Sequence, residues 1–255
     1  MAMTTVPEAA ADSRMSEEEW QVRVDLAAAY RLVAHYGWDD MIFTHLSARV
    51  PGSPHFLINP YGVVFSQIDA SSLVKIDLEG NAVDQPGAIV NAAGFTIHSA
   101  VHASRHDAAC VMHLHTIAGT AVATSRQGLL PLNQTAMLVC RDIAYHDYEG
   151  VAFDLAERPR LVADLGDKPL MLLRNHGTLA LGPTVAATFL SMYFLERACE
   201  MQVATLAGGA EPVVPSEAVQ ALVQKQARGG GDMVSKLAWT ALIRMLDAKD
   251  TSYRN

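Results

Sequence analysis

The sequence predicts an α/β sandwich in which helices cover a mixed sheet. Three observations carry that prediction. Short β-prone runs broken by Pro and Gly dominate the chain after its first helix, and strands then alternate with apolar segments of helical period. Half of the 255 residues are hydrophobic and only 18% are charged, enough apolar material for one sizeable core.

Residues 1–15 read as a disordered tail, without the basic start and apolar run of a secretory signal, and 16–255 as a single domain with a C-terminal helical extension. Order begins at Ser16, because "SEEE" offers a capping hydroxyl with Glu19 three residues on and acids in the first turn. The helix is expected to reach about Tyr36, before Gly37. The runs "MIFTHLSARV", "FLIN" and "GVVF" then read as short strands, and "DLEGNAV" as a hairpin. A helix over "NAAGFTIHSAVHASR" feeds the strand "ACVMHLH", and a second helix is expected from about Ile117 to Arg126. After the loop "QGLLPLNQTA" come a strand near "DIAYHDY", a helix near "ERPRLVADL" and the apolar strand "PLMLLRN", which ends in His176-Gly177. A long helix covers roughly Thr184 to Ala207. Gly208, Gly209, Pro212 and Pro215 stop it, and "RGGG" interrupts the last helical segment.

The 27 acidic and 19 basic residues give a net charge of −8, and no Lys/Arg cluster stands out, which argues against nucleic acid or an anionic membrane as partner. No apolar stretch is long enough to span a bilayer. Cys110, Cys140 and Cys199 are odd in number and scattered in apolar context, so they read as reduced core residues in a cytoplasmic protein.

The stretch "CVMHLHT" puts two histidines in an apolar strand. Residues i and i+2 share a face, so His113 and His115 lie side by side. Two adjacent imidazoles can chelate, and a catalytic metal needs a third ligand with one position left open. His176, at the end of another apolar strand before a glycine, is the best third candidate. On residue type alone the pair is also compatible with buried histidines whose hydrogen bonds are satisfied. His98 and His102, at i and i+4 on one helix face, lack a third partner and read as structural. His45, His55, His106 and His146 fall in loop or strand-edge contexts with solvated roles as the default.

The segments "NAAGFTIHSAVHASRHDAACVMHLHTIAGTAVA" and "LLRNHGTLALGPTVAATFLSMYFLERACEMQ" resemble the class II aldolase/adducin family, over about residues 20 to 210. The resemblance implies a three-layer α/β/α sandwich, a metal, usually zinc, on His113, His115 and His176, and a homotetramer with sites between subunits. It also exposes departures. The family's general acid/base glutamate and phosphate-holding serines correspond here to Gly94, Ala92 and Ala93. The early Gly-Asn phosphate contact is replaced by His45 and Leu46, and the loop that carries the neighbouring subunit's tyrosine reads Asn133, Gln134 and Thr135. A glycine offers no proton acceptor, and the missing phosphate cradle points to an unphosphorylated hydroxy or keto acid, or an aromatic acid, as small-molecule substrate.

Three functions remain in order of preference. The first is a metal-dependent carbon–carbon lyase, a decarboxylase or a non-phosphosugar (retro-)aldolase, with His45, His98 or Gln134 handling the proton. The second is a non-heme iron oxygenase on the same three histidines. The third is a non-catalytic adducin-like interaction domain. Zinc is the expected metal, with iron, manganese or cobalt as alternatives. Arg174 reads first as the partner of a structural acid, Tyr145, His146 and Tyr148 as cover for a sheet edge or an interface, and Glu196 and Arg197 as the polar face of the long helix.

Overall fold

The computed structural model describes residues 15–209, 211–227 and 231–255. The expected N-terminal tail, apart from Met15, and all but the last residue of "RGGG" lie outside them. Ser16 opens α1 (Glu17–Tyr36) by accepting the Glu19 N–H at 3.1 Å, and Gly37 closes it in the left-handed conformation at φ 68°. Next come β1 (His45–Arg49), β2 (Phe56–Ile58) and β3 (Val74–Ile76), then α2 (Ala92–Ser104), β4 (Cys110–Leu114), α3 (Ile117–Thr124) and α4 (Gln134–Val139). The chain continues through β5 (Ile143–His146), α5 (Arg158–Leu165), β6 (Leu170–Leu173) and β7 (Gly177–Gly182) to the long α6 (Val185–Leu206), with α7 (Glu217–Ala227) and α8 (Gly231–Asp247) as the helical extension.

Seven strands form one mixed sheet in the order β3-β2-β1-β4-β7-β6-β5, antiparallel throughout except for the β5–β6 pair. Strand β4 lies at its centre and shows how the layers arise. Cys110, Met112 and Leu114 point into the larger core beneath α1, α3 and α6, while Val111 points to the opposite face, into a second core under α2 and α5. Helices therefore cover both faces, the α/β/α arrangement that the family resemblance implies.

Four local readings change. "GVVF" is not a strand: Phe65 begins a short 3-10 turn and packs edge-on against Tyr30 with ring centroids 4.6 Å apart, so its apolar character serves the core without sheet pairing. The third strand instead precedes "DLEGNAV", whose hairpin shrinks to a turn closed by the single bridge Ile76–Ala82. The loop reading of "QGLLPLNQTA" misses the start of α4, which Asn133 caps by accepting the Ala136 N–H at 2.9 Å. "GTLALG" is the strand β7. Its flanking glycines are clearance residues, since a Cβ on Gly177 would lie 2.3 Å from the Leu114 carbonyl oxygen and one on Gly182 2.8 Å from the Thr188 hydroxyl.

Burial corrects further readings. His146 is buried on β5 between the carboxylates of Asp164 (2.7 Å) and Glu157 (3.3 Å), not solvated. Among the described residues Arg174 meets no acid: it donates to the Ser125 carbonyl at 2.6 Å and stacks 4.3 Å over the Tyr145 ring. Arg197 is exposed on α6, but Glu196 beside it is fully buried. The three cysteines are free, two of them buried. Among the described residues, no helix is long and apolar enough to cross a membrane.

Candidate metal centre

The central strand delivers the first ligand. His113 faces the α2 side of β4, next to the end of the strand, and is 0% exposed. Its Nδ1–H donates to the Thr178 carbonyl of β7 at 2.9 Å, which turns Nε2 toward the strand end. His115, just past the strand, directs its Nδ1 at the Asp40 carboxylate, 3.2 Å away, so its Nε2 faces the same point. His176 arrives from the connection between β6 and β7. Asn175, in the left-handed conformation at φ 57°, makes that turn, and the absent Gly177 side chain lets β7 close on β4. The turn therefore belongs to the asparagine and not to the glycine.

The His176 ring lies 4.7 Å from that of His113 and 4.8 Å from that of His115, and a donor atom of each histidine falls within 4.8 Å of the other two. The Nε2 atoms of His113 and His115 approach to 2.9 Å. With both Nδ1 atoms engaged by acceptors, two imidazole lone pairs point at each other. A proton or a cation must sit between them. A tetrahedral ion at ~2.0–2.1 Å from each nitrogen would hold them roughly 3.3 Å apart, close to the separation found. The donor set thus fits a divalent metal with open positions. Burial, with His176 next, pushes His113 well below the ordinary histidine range, and burial with His115 brings His176 down to about 4. Both stay neutral at neutral pH, the form that ligates metal.

The loop from Asp40 to Thr44 forms one wall. Met41 (φ 53°) and Thr44 (φ 68°) are both held in the left-handed region, strain that a merely connecting loop would relax. Asp40 completes a carboxylate–histidine pair of the kind that orients metal ligands. Asp40→Ala is expected to weaken zinc binding about 10- to 100-fold without unfolding the protein, read by competition with a chromogenic chelator; an unchanged affinity would remove Asp40 from the site.

A cavity of about 280 Å³ opens on the three histidines. Phe43, Tyr61, Ile97, Tyr148, Val151 and Phe153 supply its large apolar and aromatic side chains, and among the described residues no Lys or Arg lines it. His45 lines it too. Strand register pairs His45 on β1 with His113 on β4, and their rings stack at 5.5 Å. Gly94 of α2 faces this ring: a Cβ there would lie 2.3–2.6 Å from His45 Cδ2, Nε2 and Cγ. The imidazole of His45 occupies the space that a side chain at position 94 would fill. His45 Nδ1 and Thr44 Oγ1 are buried at the cavity without a hydrogen-bond partner among the described residues. Burial, then His98, holds His45 well below the ordinary histidine range.

The structure brings His113, His115, His176 and His45 together and leaves the other two candidates outside. His98 sits behind His45, rings 5.2 Å apart, with its Nδ1 2.5 Å from the Ser47 hydroxyl, which also contacts His102 Nε2 at 2.8 Å. Gln134 is exposed at the start of α4 and does not line the cavity of its own chain. Sequence reasoning missed Asp40, Phe43, Thr44 and Phe153, which follow no period or spacing; the one available signal was an acid just before the strand aligned with the histidines.

Burial, with His102 next for His98 and Arg49 next for His102, brings both these histidines down to about 3. Between pH 3 and roughly pH 6.5 the unfolded chain holds a proton on each that the folded chain lacks, so their contribution to stability is lost as pH falls through this window. His102→Gln is expected to flatten the pH dependence of unfolding free energy near pH 5 by one proton, about 1.4 kcal/mol per pH unit. Urea unfolding at several pH values reads it, and an unaltered slope would contradict the neutral, buried state of His102.

The family model described as "Class II Aldolase and Adducin N-terminal domain" matches residues 24–203. A Caulobacter vibrioides protein assigned by its name to the class 2 aldolases is 56% identical over 255 residues, covering 99% of both chains. Alpha-adducin of Mus musculus is 45% identical over 195 residues, 75% of this chain but 26% of the adducin. Among solved structures, L-fuculose 1-phosphate aldolase from Glaciozyma antarctica PI12 superposes with a TM-score of 0.81 over 97% of each chain at 25% identity.

Proposed function

The chain belongs to the class II aldolase and adducin family, and from that premise we propose that it is a metal-dependent carbon–carbon lyase, a decarboxylase or a non-phosphosugar (retro-)aldolase. The observation that carries the reading is the convergence of His113, His115 and His176, with the Nδ1 atoms of His113 and His115 already engaged by acceptors. His113, His115 and His176 bind the metal, zinc by preference, with iron, manganese or cobalt as alternatives of the same charge. When bound, such an ion supplies Lewis-acid polarisation of a chelated carbonyl or hydroxyl oxygen. His45 handles the proton: its ring stands at the cavity wall where the family's glutamate would project from position 94, and its Nδ1 has no hydrogen-bond partner among the described residues. Phe43, Val151 and Phe153 add apolar surface to the cavity wall.

A cavity without Lys or Arg suits an unphosphorylated hydroxy, keto or aromatic acid, whose carboxylate and neighbouring oxygen can both meet the metal. Homotetrameric assembly with sites between subunits is supported by the family membership and by the exposed Tyr148, Val151 and Phe153 at the cavity mouth. A cytoplasmic setting is supported by the three free cysteines. The 45% identity to an adducin favours a second reading, a non-catalytic interaction domain. The two separate by assay of the full chain, loaded with zinc or with iron in the presence and absence of dioxygen, on a panel of hydroxy, keto and aromatic acids. Release of carbon dioxide or an aldehyde with zinc, lost in His45→Ala, is the expected result. Turnover confined to iron with dioxygen would make it an oxygenase, and a chain that takes up neither metal would favour the interaction domain.

A further inference from the structure

Glu196 lies in the middle of α6, fully buried, and no cation pairs with it among the described residues. Burial, with a smaller push from Glu200, raises its carboxyl to about 7 against the two hydroxyls that lower it, so the group carries a cost that a leucine of similar volume would avoid. What it does instead is hold two hydroxyls, each carboxylate oxygen accepting one: Oε1 from Thr178 and Oε2 from Thr116, both at 2.5 Å.

Both threonines stand against the three histidines. Thr178 is two residues beyond His176, and its carbonyl is the acceptor that fixes His113 Nδ1. Thr116 directly follows His115 and caps α3 by accepting the Gly119 N–H at 2.9 Å. One turn further, Thr120 donates to the His176 carbonyl at 3.2 Å. Nothing loosens this junction, because a Cβ on Gly119 would lie 2.6 Å from the Thr178 methyl, 2.7 Å from the Thr116 hydroxyl and 3.1 Å from Glu196 Oε2.

We propose that Glu196 is a positioning residue for the metal centre: one carboxylate on α6 fastens β7 and the start of α3, and through them sets the spacing of His113, His115 and His176. The proposal rests on the reading of these histidines as ligands. Its mechanism is the outer-shell one, in which groups behind the ligands set affinity by fixing their geometry.

The test is the zinc affinity of the full chain, wild type against Glu196→Gln, Glu196→Ala and Thr178→Val, measured by chelator competition alongside urea unfolding of the metal-free proteins. Glutamine keeps the volume but places an amide donor where a hydroxyl donates, so about a tenfold loss is expected for Glu196→Gln and up to about a hundredfold for Glu196→Ala. Thr178→Val cuts one arm and keeps the carbonyl, and it should lose affinity by an amount comparable to Glu196→Gln. Glu200→Gln, which changes an acid that contacts Arg197 and Trp38 at the surface, should bind like wild type. Should Glu196→Ala fail to fold, the glutamine and valine variants decide. Variants that lose unfolding free energy yet bind zinc as wild type does would reduce Glu196 to a packing residue and overturn the proposal. A wild-type chain that binds no zinc would instead remove the ligand reading itself, and the proposal with it.

Discussion

His115→Ala is expected to abolish zinc binding at micromolar concentrations, a loss on the order of a hundredfold or more, while His102→Ala binds as wild type does. The contrast is demanding because both residues are histidines in apolar surroundings. His115 is one of three donors aimed at a point, and removing it leaves two imidazoles that hold an ion weakly. His102 spends its Nε2 on Ser47 and stacks on Phe56 with ring centroids 4.7 Å apart, on the far side of His98 from the cavity. Equilibrium dialysis followed by metal analysis reads both variants. Full occupancy in His115→Ala would place the metal elsewhere.

Gly94→Glu, which restores the residue expected of the aldolases, should destabilise the protein by about 3 kcal/mol and not create a better enzyme. The new Cβ would fall 2.3 Å from the His45 ring of β1, in a helix that is also packed against α5, so the imidazole must leave its place or the helix must shift. Combined with His45→Ala the same substitution has room. The double variant is expected to recover most of the loss, giving an interaction energy of roughly 2 kcal/mol of opposite sign to the single costs. Urea unfolding of the four proteins closes the cycle. Additive effects would mean that His45 and position 94 do not compete for one space, and the assignment of His45 as the relocated proton-handling group would lose its basis.

The elements legible in the sequence are those with a local physical signature. The Ser16 N-cap, the helical period of α2 and α6 and the apolar run of β6 each announce themselves within a dozen residues. The elements missed depend on distant partners. β7 is a strand because Gly177 and Gly182 make room for the Leu114 carbonyl and Thr188, a requirement that exists only once the sheet is assembled. The site follows the same division. His113 and His115 stand out through the period of a strand, and His176 through the turn that follows one. Asp40 reaches His115 across 75 positions of sequence, and Glu196 reads as a surface acid until Thr116 and Thr178 are seen around it. The absence of a side chain at Gly94 was visible as a loss. That His45 fills the space only the packing of α2 on β1 reveals.

The central claim, a divalent ion held by three histidines, is tested most directly by diffraction from crystals grown with zinc, with data collected on both sides of the zinc absorption edge. One anomalous peak per chain is expected, about 2.0–2.1 Å from a nitrogen of each of His113, His115 and His176, with density at an open position facing His45. No peak at the three histidines, in a chain that is otherwise folded as described, would contradict it.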